Sequence, residues 1–305
     1  MAVVMFEQLG PTGNFYEAPR WHENAWWVSD FYAHRVLRID VDGRSSSVVE
    51  VEHQPGGLGW LPDGSLLVVS MRDQRVLRVT DEGVSVYAEL GHLFGGWAND
   101  MWVTSSGFAY VGNFGFDLFD PDALTRRTCL AVIAPDGSVR VAAAGLAFPN
   151  ACMVTPDGRE LVVNETLAGC HTAFTIAADG SLENRRTWAR IGAAPADPDH
   201  ALVDLEYGPD GACFDADGRL WVADAFGGRV VLLEEGGHVS REIHMPDGLN
   251  AYACCVGGAD GRKLLVAAAP DHDASKRSSA VEGVLLVTDI GEGTGDDVPV
   301  KQTAS

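Results

Sequence analysis

Six short runs of branched or aromatic residues recur along the chain, and each ends in a small or polar residue. These final positions are residues 29, 70, 112, 164, 223 and 267, so the repeat spacing is 41 to 59 residues. Asp-Gly dipeptides supply the positive φ values that tight hairpins need, and they punctuate the runs. Their aspartates are Asp42, Asp63, Asp136, Asp157, Asp179, Asp210, Asp217, Asp247 and Asp260. The pattern predicts repeated β-hairpins.

Three further segments resemble one another closely, and they begin at His34, Gln74 and Gly228. Apolar and polar residues alternate along each of them, which predicts strands whose Val and Ile side chains point inward. Six repeats of this length, built from short strands, are typical of an all-β six-bladed β-propeller. A β-helix would need shorter repeats, and a sandwich would not repeat six times.

The repeats indicate one propeller domain over residues 1–290, followed by a Gly- and Asp-rich tail over residues 291–305. We expect this tail to be frayed unless it closes the ring. Residues 192–201, rich in Ala, Pro and Asp, are interpreted as a long loop. The charged segment 271–277 is interpreted as a solvated loop between two strands of the last blade.

Composition narrows the choice of partners. The chain carries 43 acidic and 22 basic residues, a formal net charge of −21. Nucleic acids and anionic membranes need a basic footprint, so neither is expected as a partner. No apolar run approaches the roughly 20 residues of a spanning helix, and the start does not have the features of a signal peptide. The six cysteines form no C-x-x-C pair, which predicts buried free thiols and a cytoplasmic location.

In a propeller, the loops entering the inner strands converge at one mouth of the central channel. Polar residues at these points are Glu17, Asn99 with Asp100, Asn150 and Asp210. Glu17, Asn150 and Asp210 each precede a predicted strand of a different blade, and their oxygens suit Ca²⁺, Mg²⁺ or Mn²⁺. Such an ion could polarise a carbonyl. Spacing alone leaves simpler roles open: Asp210 as a capping residue of an Asp-Gly turn, and Asn150 as a turn residue.

Four phrases resemble the senescence-marker-protein, gluconolactonase and luciferin-regenerating-enzyme family. They begin at Glu17 (Glu-Ala-Pro-Arg-Trp), Asn99 (Asn-Asp), Phe148 (Phe-Pro-Asn) and Pro209, where the phrase runs on to residue 223. They occur in the family's order over nearly the whole chain, and the last is the most specific. The resemblance implies a six-bladed propeller with one divalent cation at the channel mouth, and hydrolysis of lactones.

Residue by residue, the resemblance implies that Glu17, Asn150 and Asp210 are metal ligands. Asp210 also matches the family's proposed general base, which deprotonates the water that attacks the lactone carbonyl. Asn99 and Asp100 match the pair that contacts substrate. The implied cofactor is one divalent cation, with Ca²⁺ favoured and Mg²⁺, Mn²⁺ or Zn²⁺ as alternatives.

The sequence departs from the sugar-lactonase pattern at two points. Trp97 stands where the family commonly has an arginine that binds substrate, and Tyr16 stands where a glycine often precedes the first ligand. Together with Phe94, these residues are predicted to contact substrate. Exposed aromatic residues near a mouth usually serve binding. We therefore expect a lactone or ester that is less polar than a sugar lactone.

Two other functions stay open. The same metal site could cleave organophosphates or catalyse non-hydrolytic ring chemistry, because fold does not fix reaction. A non-catalytic binding propeller is a further alternative, although convergent carboxylates such as Glu17 and Asp210 speak against it. The expected partner is a small-molecule lactone or ester, and the sequence leaves the oligomeric state open.

Overall fold

Each repeat of the chain folds into a small antiparallel sheet. The computed structural model describes residues 4–118, 122–194 and 205–291, and these residues form six sheets of four strands. The repeat positions 29, 70, 112, 164, 223 and 267 all lie on the second strand of a sheet. The predicted repeat is therefore confirmed.

The first three blades follow one another along the chain. Blade 1 consists of β2 (Tyr16–His22), β3 (Ala25–Asp30), β4 (Arg35–Ile39) and β5 (Ser45–Glu50). Blade 2 consists of β6 (Pro55–Trp60), β7 (Leu66–Ser70), β8 (Arg75–Thr80) and β9 (Gly83–Glu89). Blade 3 consists of β10 (Ala98–Val103), β11 (Ala109–Asn113), β12 (Thr128–Ile133) and β13 (Val139–Leu146).

The remaining blades include two short helical turns. Blade 4 consists of β14 (Pro149–Val154), β15 (Glu160–Glu165), β16 (Cys170–Ile176) and β17 (Leu182–Arg190), with a 3₁₀ turn at Thr166–Ala168. Blade 5 consists of β18 (Pro209–Phe214), β19 (Leu220–Asp224), β20 (Arg229–Leu233) and β21 (Val239–His244). Blade 6 consists of β22 (Asn250–Gly257), β23 (Lys263–Ala269), β24 (Val284–Asp289) and the N-terminal β1 (Glu7–Gln8), with helix α1 (Ala274–Arg277).

The six blades form a closed ring. The first strand of each blade contacts the first strand of the next, from β2 through β6, β10, β14 and β18 to β22, and β22 contacts β2. The six-bladed propeller is therefore confirmed. Among the described residues, no helix is long and apolar enough to cross a bilayer.

The last blade is completed from both ends of the described chain. Strand β1 pairs antiparallel with β24, with Glu7 opposite Val287 and Gln8 opposite Leu286. The prediction had considered closure of the ring by the C-terminal tail, whereas the N-terminal strand performs this role. Residues 292–305 of the predicted tail lie outside the described residues, as do residues 195–204, which overlap the predicted long loop.

The inner strands approach one another too closely for side chains at certain points. A Cβ added to Gly57 would lie 2.2 Å from the backbone nitrogen of Met101, and one added to Gly211 would lie 2.4 Å from the Cβ of Ala253. Real Cβ atoms do not make such contacts, so these glycines set the spacing of neighbouring blades near the axis.

The second strand of each blade is almost entirely buried on both faces, because neighbouring blades cover it, and parts of the third strands are buried as well. In β4, Val36 and Ile39 are buried as predicted, and Leu37 between them is buried as well. The simple alternation of inward and outward residues is therefore incomplete there. The turn residues His34, Gln74 and Gly228, which open the three similar segments, all adopt a left-handed conformation with φ between 53° and 59°.

Two local interpretations need correction. Segment 271–277 was expected to be solvated, but Arg277 is 4% exposed and forms ion pairs with Asp271 and Glu282. The dipeptide Asp210-Gly211 does not form a hairpin turn, because it lies within inner strand β18. The prediction of buried free thiols is confirmed, since all six cysteines are free and buried.

Replacing Gly57 with alanine should destabilise the propeller, because the added methyl group would overlap the backbone of β10. The expected loss in the free energy of unfolding is about 1–3 kcal/mol or more, as for other overpacked cores. Urea denaturation monitored by tryptophan fluorescence measures it. An unchanged unfolding midpoint would show that the inner strands can separate at little cost.

Candidate metal and substrate site

The pairing of the inner strand with its neighbour is interrupted near the same end in every blade. The interruptions lie between Glu17 and Arg20, Pro55 and Leu58, Ala98 and Met101, Pro149 and Cys152, Pro209 and Ala212, and Ala251 and Ala253. Such bulges redirect side chains and are common next to functional sites. The predicted metal ligands Glu17, Asn150 and Asp210 and the pair Asn99 and Asp100 lie within or beside these bulges, as part of the inner strands and not in front of them.

A cavity of about 670 Å³ opens at this end of the propeller. Its described lining includes four of the predicted site residues, namely Glu17, Asn99, Asn150 and Asp210. These four residues come from four blades and lie at least 51 positions apart in the sequence, and the fold brings them to one cavity. The propeller fold predicted that these residues would converge, and the structure brings these four to one cavity.

Asn150 and Asp210 are in direct contact. Asn150 donates a hydrogen bond from Nδ2 to Oδ1 of Asp210, and the same nitrogen lies 3.2 Å from the hydroxyl oxygen of Thr166. Glu17 accepts a hydrogen bond of 3.2 Å from the backbone nitrogen of Ala18. Ala18 has a positive φ of 48°, so the backbone beside this carboxylate is in a conformation that L-residues rarely adopt.

Burial dominates the electrostatics of the two carboxylates. It raises the pKa of Glu17 well above its usual range, and the negative charge of Asp210 raises it further. Burial also raises the pKa of Asp210 to about 8, although the hydrogen bond from Asn150 opposes this shift. Two acidic groups that are held together away from water favour either protons or a cation between them.

Asp100 turns away from the cavity and pairs with an arginine. Its Oδ1 lies 2.6 Å from a guanidinium nitrogen of Arg20 and accepts a hydrogen bond of 2.8 Å from the backbone nitrogen of Met101. Asp100 does not line the cavity, so the structure does not place it where it was predicted to contact substrate. Of the predicted pair, only Asn99 lines the cavity.

The charges and donors at this site fit a divalent cation. Glu17, Asp100 and Asp210 influence one another electrostatically, and Arg20 supplies a positive charge through its ion pair with Asp100. Three carboxylates against one guanidinium leave two negative charges when all are ionised, which a divalent cation neutralises. The described residues contain no metal-binding group of three His, Cys, Asp or Glu side chains, so the Asn150 amide is the third candidate donor.

Tyr16 faces the opposite side of its strand from Glu17. Neighbouring residues on a strand point to opposite faces, so Tyr16 cannot share the cavity face with Glu17. Tyr16 is 1% exposed, belongs to the same buried hydrophobic cluster as Trp26, and donates a hydrogen bond of 3.0 Å to the carbonyl of Pro11. The structure therefore does not bring Tyr16 to the cavity, contrary to the prediction.

Phe94 and Trp97 are also absent from the cavity wall. Phe94 is buried in the hydrophobic core. The ring of Trp97 stacks against Phe114, with 6.4 Å between ring centroids, and the guanidinium of Arg72 lies 4.7 Å from its centroid. Phe114 does line the cavity, so Trp97 supports the wall from behind. The expectation that these two residues contact substrate directly is not met.

Other aromatic residues form the wall instead. Among the described residues, those lining the cavity are Phe15, Phe31, Tyr32, Phe114, Phe148, Phe226 and Tyr252. The predicted apolar character of the site therefore rests on aromatic residues other than Tyr16, Phe94 and Trp97, which were the three predicted to contact substrate. Among these wall residues, Phe148 could have been recognised from the sequence, because it directly precedes the motif residues Pro149 and Asn150. Asp271 and His272 of the charged segment also line the cavity.

Phe148 is held in an unfavourable backbone conformation. Its φ is +59°, although a residue before proline is normally extended. Its ring stacks on Phe114, with 4.8 Å between centroids and an interplanar angle of 11°. Gln54, which precedes the inner-strand proline of blade 2, has a φ of +74°. The backbone geometry thus recurs at equivalent positions, and at Phe148 it presents an aromatic ring to the cavity.

Comparison with known proteins agrees with this architecture. Residues 15–270 match the model of the SMP-30/Gluconolactonase/LRE-like region. The chain belongs to this family. Regucalcin of Xenopus laevis is 25% identical over 287 residues, which cover 90% of this chain and 91% of regucalcin.

Solved structures show the same fold. A luciferin-regenerating enzyme superposes with a TM-score of 0.77 at 17% identity, covering 98% of this chain and 99% of that protein. A calcium-binding protein, regucalcin, from Agrobacterium tumefaciens superposes with a TM-score of 0.72 at 19% identity, covering 95% and 97% of the two chains. The SMP-30/gluconolactonase fold is therefore shared over almost the full length.

Metal-free protein should become less stable as the pH rises from about 4 to about 8, between the unfolded and the folded pKa of Asp210. Asp210 has a pKa of about 8 in the folded protein and an ordinary value near 3.8 when unfolded, so the folded state binds more protons in this range. Each proton lost changes the free energy of unfolding by at most about 1.4 kcal/mol per pH unit. Thermal unfolding in the presence of a chelator measures the slope.

Asp210→Asn is the control for this dependence, because it removes the titrating carboxylate and keeps the shape. The slope should be shallower in this variant by up to about 1.4 kcal/mol per pH unit, and Glu17, whose pKa burial also raises, accounts for the slope that remains. Equal slopes in the two proteins would show that other groups cause the pH dependence.

Proposed function

We propose that the chain is a divalent-metal-dependent hydrolase that opens a lactone or a related ester less polar than a sugar lactone. One observation carries the proposal: two buried carboxylates of raised pKa, Glu17 and Asp210, line an aromatic cavity together with the Asn150 amide. Membership of the SMP-30/gluconolactonase family supports the same conclusion. The calcium-binding relative makes Ca²⁺ the first ion to test.

Glu17, Asn150 and Asp210 would hold the cation through carboxylate and amide oxygens. When bound, a divalent cation supplies Lewis-acid polarisation of the substrate carbonyl. Binding through oxygen requires the amide of Asn150 to direct Oδ1 toward the ion, because its Nδ2 faces Asp210 in this structure. Turning the Asn150 amide would break its hydrogen bond to Asp210, and the charge of a bound cation would compensate for that loss.

Asp210 would also act as the general base. Its carboxylate takes a proton from water, the water oxygen bonds to the acyl carbon, and the ring bond between that carbon and oxygen breaks. The proton then passes to the departing alkoxide, so that lactone and water give one hydroxy acid. Asn99 lines the cavity beside this group and would bind polar atoms of the substrate.

The first test is hydrolysis of a lactone panel by chelator-treated protein to which Ca²⁺, Mg²⁺, Mn²⁺ or Zn²⁺ is restored singly. Turnover should require a metal, and Asp210→Asn should lower kcat by about 100-fold or more. Asp42→Asn makes the same chemical change in an exposed Asp-Gly turn and should retain full activity. Proton release in weakly buffered solution follows the reaction.

Turnover of organophosphates without any turnover of lactones would select the alternative chemistry of the same site. Ion binding without any turnover would favour a binding propeller. Either result would overturn the proposed hydrolase.

The aromatic wall should favour aryl or long alkyl lactones over gluconolactone. Replacing Phe148 with leucine removes a ring that lines the cavity. This variant should have a kcat/KM for an aryl lactone that is lower by about tenfold, because it loses about 1.4 kcal/mol of aromatic contact with the substrate. Phe116→Leu is the matched control, because the ring centroid of Phe116 lies 6.1 Å from that of Phe148 and Phe116 does not line the cavity. Equal losses in both variants would indicate general loosening of the core.

A further inference from the structure

A buried histidine lies behind Asp210, where the proposed reaction does not use it. His171 is fully buried on β16 of blade 4, and neither it nor its hydrogen-bond partners Asn164 and Tyr207 line the cavity. Asn164 is also fully buried, and Tyr207 is 3% exposed. Polar groups buried so deeply are costly unless each is hydrogen-bonded, so their partners reveal what the group maintains.

Hydrogen bonds connect these three side chains in series to the backbone carbonyl of Asp210. The amide Nδ2 of Asn164 lies 2.6 Å from the carbonyl oxygen of Asp210 and donates to it. Nδ1 of His171 lies 2.7 Å from Oδ1 of Asn164, and Nε2 of His171 lies 2.9 Å from the hydroxyl of Tyr207. A continuous chain thus runs from Tyr207 through His171 and Asn164 to the peptide of Asp210.

The donor and the acceptor of every hydrogen bond in this series follow from the Asp210 carbonyl at its end. A backbone carbonyl only accepts, so the NH₂ group of Asn164 must face Asp210 and its Oδ1 must face His171. His171 must then carry its proton on Nδ1, which leaves Nε2 to accept from the Tyr207 hydroxyl. Burial lowers the pKa of His171 to about 3, in keeping with a neutral ring that has one donor and one acceptor.

The bulge in β18 explains why the Asp210 carbonyl needs this donor. Pro209 pairs with Asp224 and Ala212 with Val222, so Asp210 and Gly211 together face a single residue of β19. Blade 4 donates hydrogen bonds to the carbonyls of both Pro209 and Asp210. The Thr166 hydroxyl donates a hydrogen bond of 2.8 Å to the Pro209 carbonyl, and Asn164 donates to the Asp210 carbonyl. The orientation of Asp210 is therefore set by the neighbouring blade.

We propose that Tyr207, His171 and Asn164 are positioning residues that hold the Asp210 peptide from behind, so that its carboxylate is directed at the cation and the substrate. This inference rests on the proposed metal role of Asp210. Groups that orient metal ligands from outside the site commonly change metal affinity or activity by 10- to 100-fold when removed.

Blade 1 contains a matched contact without a ligand. Ser29 stands at the same repeat position as Asn164, and its hydroxyl donates 2.7 Å to the carbonyl of Gly56 in the inner strand of the next blade. Gly56 carries no side chain to coordinate an ion. Ser29→Ala and Asn164→Ala therefore each remove one donor between blades, but only Asn164 donates a hydrogen bond to the peptide of a proposed ligand. Ser29 lies opposite Glu17 in the pairing of β2 with β3, and alanine keeps that backbone pairing.

The experiment measures Ca²⁺ affinity by titration calorimetry at a temperature where all variants are folded. Asn164→Ala should weaken binding by about 10- to 100-fold. Ser29→Ala should leave the affinity within about twofold of wild type, whatever it does to the unfolding temperature. Tyr207→Phe removes only a hydroxyl, and it should weaken binding in the same direction by a smaller factor.

Nitrogen NMR of His171 gives a readout that does not depend on metal or activity. Wild-type protein should show the neutral tautomer protonated on Nδ1, and this tautomer should be less fixed in Tyr207→Phe. A tautomer protonated on Nε2 in wild-type protein would overturn the proposed direction of the chain.

The failures can be told apart. Equal Ca²⁺ affinity in wild type, Asn164→Ala and Tyr207→Phe would overturn the positioning role and leave the metal site intact. If wild-type protein bound none of the four ions, both the proposed metal role and this inference would be wrong.

Discussion

Two carboxylates that share a buried site impose the main constraint on this protein. Glu17 and Asp210 come from different blades, and burial disfavours their negative charges. Hydrophobic packing cannot favour such an arrangement, because each ionised group would be more stable in water. The ring of blades must therefore be rigid enough to hold them together. Neighbouring inner strands that approach at Gly57 and Gly211 without intervening side chains supply that rigidity.

The fold was predictable from the sequence because its information is local and repeated. Each Asp-Gly turn and each short strand can be recognised without knowledge of the others, and six copies determine the architecture. The convergence of Glu17, Asn99, Asn150 and Asp210 followed from propeller geometry combined with the family resemblance. Asp210 itself was ambiguous, because an Asp-Gly dipeptide in a strand bulge has the same letters as one in a hairpin turn.

The aromatic wall was harder to predict, since it depends on side-chain direction. Tyr16 adjoins the proposed ligand Glu17 in sequence, yet strand alternation turns its side chain into the core. Trp97 lies one layer behind Phe114, a relation that no spacing rule reveals. Phe148 reaches the cavity through a left-handed backbone before proline, which sequence rules disfavour. Closeness in sequence to a proposed ligand is therefore a poor guide to a place in the cavity wall.

The pairing of β1 with β24 also has a consequence for biosynthesis. Glu7 and Gln8 leave the ribosome early, but their partners Leu286 and Val287 are among the last described residues to be made. Five blades can assemble during translation, whereas the sixth must wait until β24 has been made, and its outer strand β1 lacks this partner in the meantime. Contacts this distant along a chain slow folding and prolong the exposure of strand edges. Nascent chains that stall before residue 284 would thus lack the partner of their own N-terminal strand.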